Sequence, residues 1–283
     1  MRYMKYFIFY YFITVHSTGL KRKYCDLQSD DISRQCFMKE TLATLSHSPN
    51  QLAVDKSSNI LYFSFDMGQG EYIPAILRID TKKLTVLKGV KDAFAMAADN
   101  STGEIYFGGS YGIYKYNPLV KDLKRLSVSN LDIWWLFIKN DIYFIKFPSL
   151  SAFYYQNKTL KYVPQLKSFT IHQFVFDEDG NVFFINSTGL FGIKNDSFNA
   201  VLLKDSPKFL GMSLDNDGHV YVCSEDGIFV ISKIIQKVKR VINIQGVLGF
   251  TFDKHNNIIY SDSHELVRLI PVDKDDEHTN LIL

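Results

Sequence analysis

The sequence predicts an all-β fold, a six-bladed β-propeller of about 40 residues per four-stranded blade. Three observations predict it. The first is composition: aromatic residues make up 15% of the 283 residues, with 23 Phe and 17 Tyr, and charged residues only 22%. Aromatic and β-branched side chains pack well on a pleated surface, so this balance favours strands. The second is a repeated unit: a short apolar strand, an Asp, a polar turn, then a strand with a central aromatic. The third is the turn chemistry between those strands.

The repeat can be followed along the chain. Leu52-Ala53-Val54-Asp55 leads to Tyr62, Met96-Ala97-Ala98-Asp99 to Tyr106, and Phe174-Val175-Phe176-Asp177 to Phe183. Met212-Ser213-Leu214-Asp215 leads to Tyr221, and Phe250-Thr251-Phe252-Asp253 to Tyr260. A sixth copy, Trp135-Leu136-Phe137-Ile138, leads to Tyr143 with Ile in place of Asp. The aromatics recur at intervals of 44, 37, 40, 38 and 39 residues, a regularity that argues against a β-sandwich. Asp179-Gly180 and Asp217-Gly218 are hairpin turns in which Gly supplies a positive φ. The recurring Asp is expected to accept hydrogen bonds from turn amides. It is read as structural because it recurs in nearly every blade, whereas a catalytic group need occur only once.

A third strand follows at Gly112-Ile113-Tyr114, Gly189-Leu190-Phe191 and Gly227-Ile228-Phe229, and outer strands follow it. An early strand near Thr41–Leu45 is expected to complete the last blade and remove a sheet edge. The domain plan is therefore a signal peptide at 1–19, an N-terminal segment at 20–46, the propeller at 47–272 and an acidic tail at 273–283.

The N-terminus reads as a secretory signal. Arg2 and Lys5 form a basic region, Tyr6 to Val15 an apolar core, and Ser17, Thr18 and Gly19 a small-residue end. The apolar run is about ten residues, half of what a membrane span needs. Without Arg2 and Lys5 the chain holds 30 basic and 30 acidic residues. A neutral protein with only short basic clusters, such as Lys21-Arg22-Lys23, is a poor nucleic-acid binder. In a secreted chain Cys25 and Cys36 are expected to form a disulfide, and Cys223 to be a buried thiol. Asn100, Asn157 and Asn195 are expected glycosylation acceptors. A fourth sequon, at Asn186, would place a glycan beside the binding mouth and is not expected to be used.

In a propeller the innermost strands start beside the central channel, and loops on that face carry function. The starting residues read as Gln51, Ala95, Trp134, Gln173, Gly211 and Gly249. Trp134 is large where its equivalents are small, while the neighbouring Trp135 fills the core slot. That points to a ring facing a pocket, with ordinary packing across a blade interface as the competing reading. His172 stands beside Gln173, and Tyr111, Lys146 and Phe147 lie in or beside loops of the same face. Aromatic, amide and hydroxyl groups together suit a flat, polar aromatic ligand.

Enzyme readings find less support. A metal hydrolase needs several oxygen donors converging on the channel. Glu225, Asp226, Asp262, His264 and Glu265 come from two adjacent blades only. There is no HExxH pattern. The expectation is a non-enzyme without cofactor or metal; the alternatives kept open are a metal-dependent lactonase and a protein-interaction propeller.

The segments IYFGGSYGIYKYN (105–117), IWWLFIKNDIYFI (133–145), FPS (147–149), NSTGLF (186–191) and IIYSDSHELVRL (258–269) resemble the insect ommochrome-binding proteins. The resemblance covers roughly residues 25 to 270 and agrees in the order of segments. It implies a secreted glycoprotein of insect haemolymph or tissue that binds ommochromes, phenoxazinone pigments made from tryptophan, such as xanthommatin or an ommatin. No nucleic-acid or membrane partner is implied. With such a ligand, Trp134 would stack on the ring, Tyr111, Gln173 and His172 would hydrogen-bond its polar groups, and Lys146 would meet a carboxylate.

Overall fold

The computed structural model describes residues 36–66, 68, 70–127, 131–232 and 237–272, and the backbone of 22–25. The expected signal peptide and acidic tail lie outside the described residues.

Six antiparallel sheets form a ring, a six-bladed β-propeller. Blade one runs Pro49–Asp55, Ile60–Asp66, Tyr72–Arg78, Lys83–Val86 from inside to outside. Blades two to five repeat that order, with innermost strands Ala95–Asp99, Asp132–Ile138, Gln173–Phe176 and Phe209–Leu214. Blade six has Gly249–Phe252, Ile258–Ser261 and Glu265–Val272, and its fourth strand is Cys36–Thr44 from the beginning of the chain. The closing strand is longer than the sequence suggests, and a further strand, Arg22–Cys25, pairs outside it. The chain ends are thus joined within one sheet.

The strands read as unbroken apolar runs because each serves two interfaces. Successive side chains on a strand point to opposite faces. In Val182–Asn186, Val182 and Phe184 pack toward blade three, while Phe183 and Ile185 pack toward blade five. Six apolar clusters result, one at each seam between blades. Burying one such Phe or Ile contributes about 1.5–3 kcal/mol. Cys223 belongs to the seam between blades five and six, and burial pushes its thiol up to about 12, which makes it inert.

The recurring Asp holds its turn as the sequence predicts. Asp177 accepts from the Asn181 N–H (2.8 Å) and its side-chain amide (2.8 Å). Asp253 does the same with Asn257, at 2.9 and 3.0 Å. Gly227, which opens a third strand, has φ +145°, and a Cβ there would sit 2.1 Å from the Ile242 carbonyl oxygen. Only glycine fits that position.

Candidate functional site at the channel mouth

The first strands converge on the axis, and three of them do so with a bulge. Pairing skips Gln51 in blade one, Trp134 in blade three and Leu210 in blade five. A bulge leaves one residue out of the ladder and re-aims its side chain. Gln51 also holds a positive φ of 41°, a backbone state non-glycine residues rarely adopt. All three bulged residues line one cavity of about 380 Å³, within the size range of small-molecule sites.

Every blade contributes to the wall. Blade one supplies Asn50 and Gln51, the segment entering blade two supplies Phe94, and blade three supplies Trp134. His172 and Gln173 come from blade four, Lys208 and Leu210 from blade five, Leu248 and Ser261 from blade six. Leu52, Trp135 and Met212 line this cavity and also a smaller one of about 220 Å³ at the opposite mouth. They form the constriction between the two.

Trp134 lies within an aromatic series. Its ring centroid is 4.7 Å from that of Phe94 and 5.8 Å from that of Phe147, and Phe94 meets Tyr72 edge-on at 4.8 Å. These contacts hold the indole in one orientation before any ligand arrives. Trp135 is buried instead, and its indole N–H donates to the Phe174 carbonyl at 3.1 Å. The sequence left Trp134 between a pocket-facing ring and packing across a blade interface; its ring lines the cavity and also packs against the seam between blades three and four.

Gln173 is more constrained than a free ligand contact. Its side-chain amide donates to the Leu210 carbonyl (3.1 Å), and its oxygen accepts the Met212 N–H (2.8 Å). It therefore joins blade four to blade five, and one amide N–H remains for the cavity. Burial, then the charge of Lys208, holds the His172 imidazolium below its usual range. At neutral pH the ring is neutral, with one donor and one acceptor.

The structure brings Trp134, His172 and Gln173 into one lining and connects Phe147 to it through Trp134. Tyr111 and Lys146 stand on the same face but outside the lining. Tyr111 sits at a hairpin tip, with the Lys91 ammonium 5.8 Å from its ring. Lys146 belongs to a second strand, one step from the axis. The cation of the wall is Lys208 instead. Sequence reasoning missed Phe94, Lys208 and Leu248, yet each immediately precedes an innermost strand, as His172 does. Applied to every blade, the position that marked His172 would have found them.

Among the described residues, no Asp or Glu lines the cavity. Asp262 instead accepts the backbone N–H groups of His264 (2.8 Å) and Glu265 (2.7 Å). Among the described residues, Asp215, Asp217 and His219 form the one group spaced like metal ligands. It lies in a blade-five turn at the opposite end of the first strand, and the His219 ring already bonds Asp215 at 3.0 Å. A hard cation prefers several carboxylate oxygens, which the mouth does not offer.

No family model matches the chain. It is 29% identical over 246 residues to the ommochrome-binding protein of Manduca sexta, covering 84% of this chain and 89% of that protein. Among solved structures it is similar to a gluconolactonase from Xanthomonas campestris, with TM-score 0.68 and 14% identity over 83% of this chain and 90% of that one. It is also similar to a streptogramin B lyase, with TM-score 0.55 and 12% identity over 83% and 98%. The WD40 propeller domain of Doa1 gives TM-score 0.56 and 14% identity over 83% and 97%. At these identities the three structures share the fold, and one fold hosts unrelated functions.

Proposed function

We propose that the chain, which is 29% identical to the ommochrome-binding protein of Manduca sexta over 84% of its length, is a member of that family and a secreted, non-enzymatic binding protein for ommochrome pigments or a similar planar aromatic molecule. The observation that carries the reading is the channel mouth: a cavity of about 380 Å³ walled by Phe94 and Trp134 on one side, with His172, Gln173 and Lys208 as its polar groups. Stacking on the aromatic wall supplies affinity, and the polar groups fix orientation. Tyr111 and Phe147 would act at the rim.

Secretion is supported by the Arg2–Gly19 segment and by the spacing of the cysteines. Cys25 stands directly opposite Cys36 across an antiparallel pair, the register a disulfide between them requires. Asn100, Asn157 and Asn195 are exposed, as glycan acceptors must be. No described helix is long and apolar enough to cross a membrane. The lactonase reading has the fold in its favour, but the carboxylate-free lining does not support it.

The test is a titration of the purified protein with xanthommatin, following tryptophan fluorescence and the pigment's visible spectrum. Saturable quenching with a spectral shift at micromolar concentration or below is expected. No binding by a protein whose circular dichroism shows intact β-structure would remove the pigment reading.

A further inference from the structure

Resting on the small-ligand reading above, the charge of the cavity narrows the ligand class. Among the described residues, Lys208 is the one charged side chain in the lining, and no described ion pair engages it. It is exposed at the rim, yet its charge reaches inside and contributes to keeping His172 neutral. No described Asp or Glu lines the cavity to offset it. Position adds direction. In a ring of six blades, blade five stands across the axis from blade two, so Lys208 stands across the mouth from Phe94. A flat ring lying on the Phe94–Trp134 wall therefore has its far edge toward the ammonium.

We infer that the cavity selects aromatic anions: the ring rests on Phe94 and Trp134, and a ring-borne carboxylate meets Lys208. A cationic ring enters the same space with no carboxylate to receive it. The affinity gained is modest because the ammonium is exposed and solvent screens it. It also weakens with salt.

Three probes of the same ring size separate charge from shape: quinoline-2-carboxylate, quinoline and N-methylquinolinium. Wild-type protein at low ionic strength is expected to bind them in that order, with about a fivefold step from anion to neutral ring. Lys208→Gln is expected to bring anion and neutral ring within about twofold of each other, and Lys208→Arg to keep the preference. Raising salt to 1 M should erase it in the wild type. Equal binding of anion and neutral ring by the wild type overturns the inference alone, as does a preference that survives Lys208→Gln. Failure of all three probes and of xanthommatin to bind folded wild-type protein overturns the ring-binding reading, and this inference with it.

Discussion

Trp134 is the residue on which the binding site can be tested most directly. It is the bulged residue of its strand, and two phenyl rings fix its plane. An anchor held in place before binding loses little freedom on binding, which is why such aromatics dominate interfaces. Trp134→Ala is expected to weaken pigment binding by about 1–3 kcal/mol, read by titration, with circular dichroism unchanged. Trp135→Phe should behave differently. It removes the indole bond to the Phe174 carbonyl and should lower thermal stability by about 1–3 kcal/mol, because a buried carbonyl loses its partner. The two measurements separate a ligand contact from a role in the core.

At the scale of the strands, each innermost strand is tied to its neighbour by more than apolar packing. Gln173 satisfies the Leu210 carbonyl and the Met212 N–H on either side of Gly211, and so fixes how blade five's first strand approaches blade four. A Cβ at Gly211 would sit 3.0 Å from the Cys223 sulfur, so the strand lies close to its own second strand as well. Gln173→Leu keeps most of the volume but leaves both backbone groups without their partner. The expected outcome is a loss of about 1–3 kcal/mol in denaturant unfolding. Because Gln173 also lines the mouth, weaker binding by this variant is expected and would not by itself identify a ligand contact.

The whole ring depends on one closure. Leu42 and Leu45 of the N-terminal segment complete the seam between blades six and one, together with Leu61, Leu77 and Leu266. An ion network locks the same place. Glu40 accepts from Arg268 of blade six (2.6 and 2.9 Å) and pairs with Lys82 of blade one (3.2 Å), which also donates to the Thr41 carbonyl. Burial pushes the Glu40 carboxyl up, but the hydrogen bond and charge of Arg268, followed by those of Lys82, outweigh it and hold the group below its usual range. A carboxylate lowered in the folded state adds stability above its unfolded pKa, and that stability is lost as pH falls through the lower, folded value. Glu40→Gln is therefore expected to cost about 1–3 kcal/mol at pH 7, with the difference from wild type fading below about pH 4.5. Thermal melts of both proteins at pH 7 and pH 3 would check it; an equal gap at both values would mean the carboxylate charge does not hold the closure.

By itself the sequence determined the all-β class, the six blades, the structural role of the recurring Asp and the closure by an early strand. These follow from signals that repeat within about 40 residues: short apolar strands, turn residues, and an Asp next to its own turn. It also marked Trp134 as large for its slot, leaving a pocket-facing ring and packing across a blade interface as two readings. What only the tertiary structure decided is which side chains share the mouth. Phe94 and Trp134 are 40 residues apart and touch because neighbouring blades bring them together, whereas Lys146, in the same blade as Trp134, stands too far from the axis. Lys208 reaches the wall because blade five begins its first strand at Phe209, with a bulge at Leu210 that the repeat alignment does not show. Strands are set by local apolar runs and the turns between them, which a sequence carries; convergence on an axis is set by bulges and ring closure, which depend on all six blades at once.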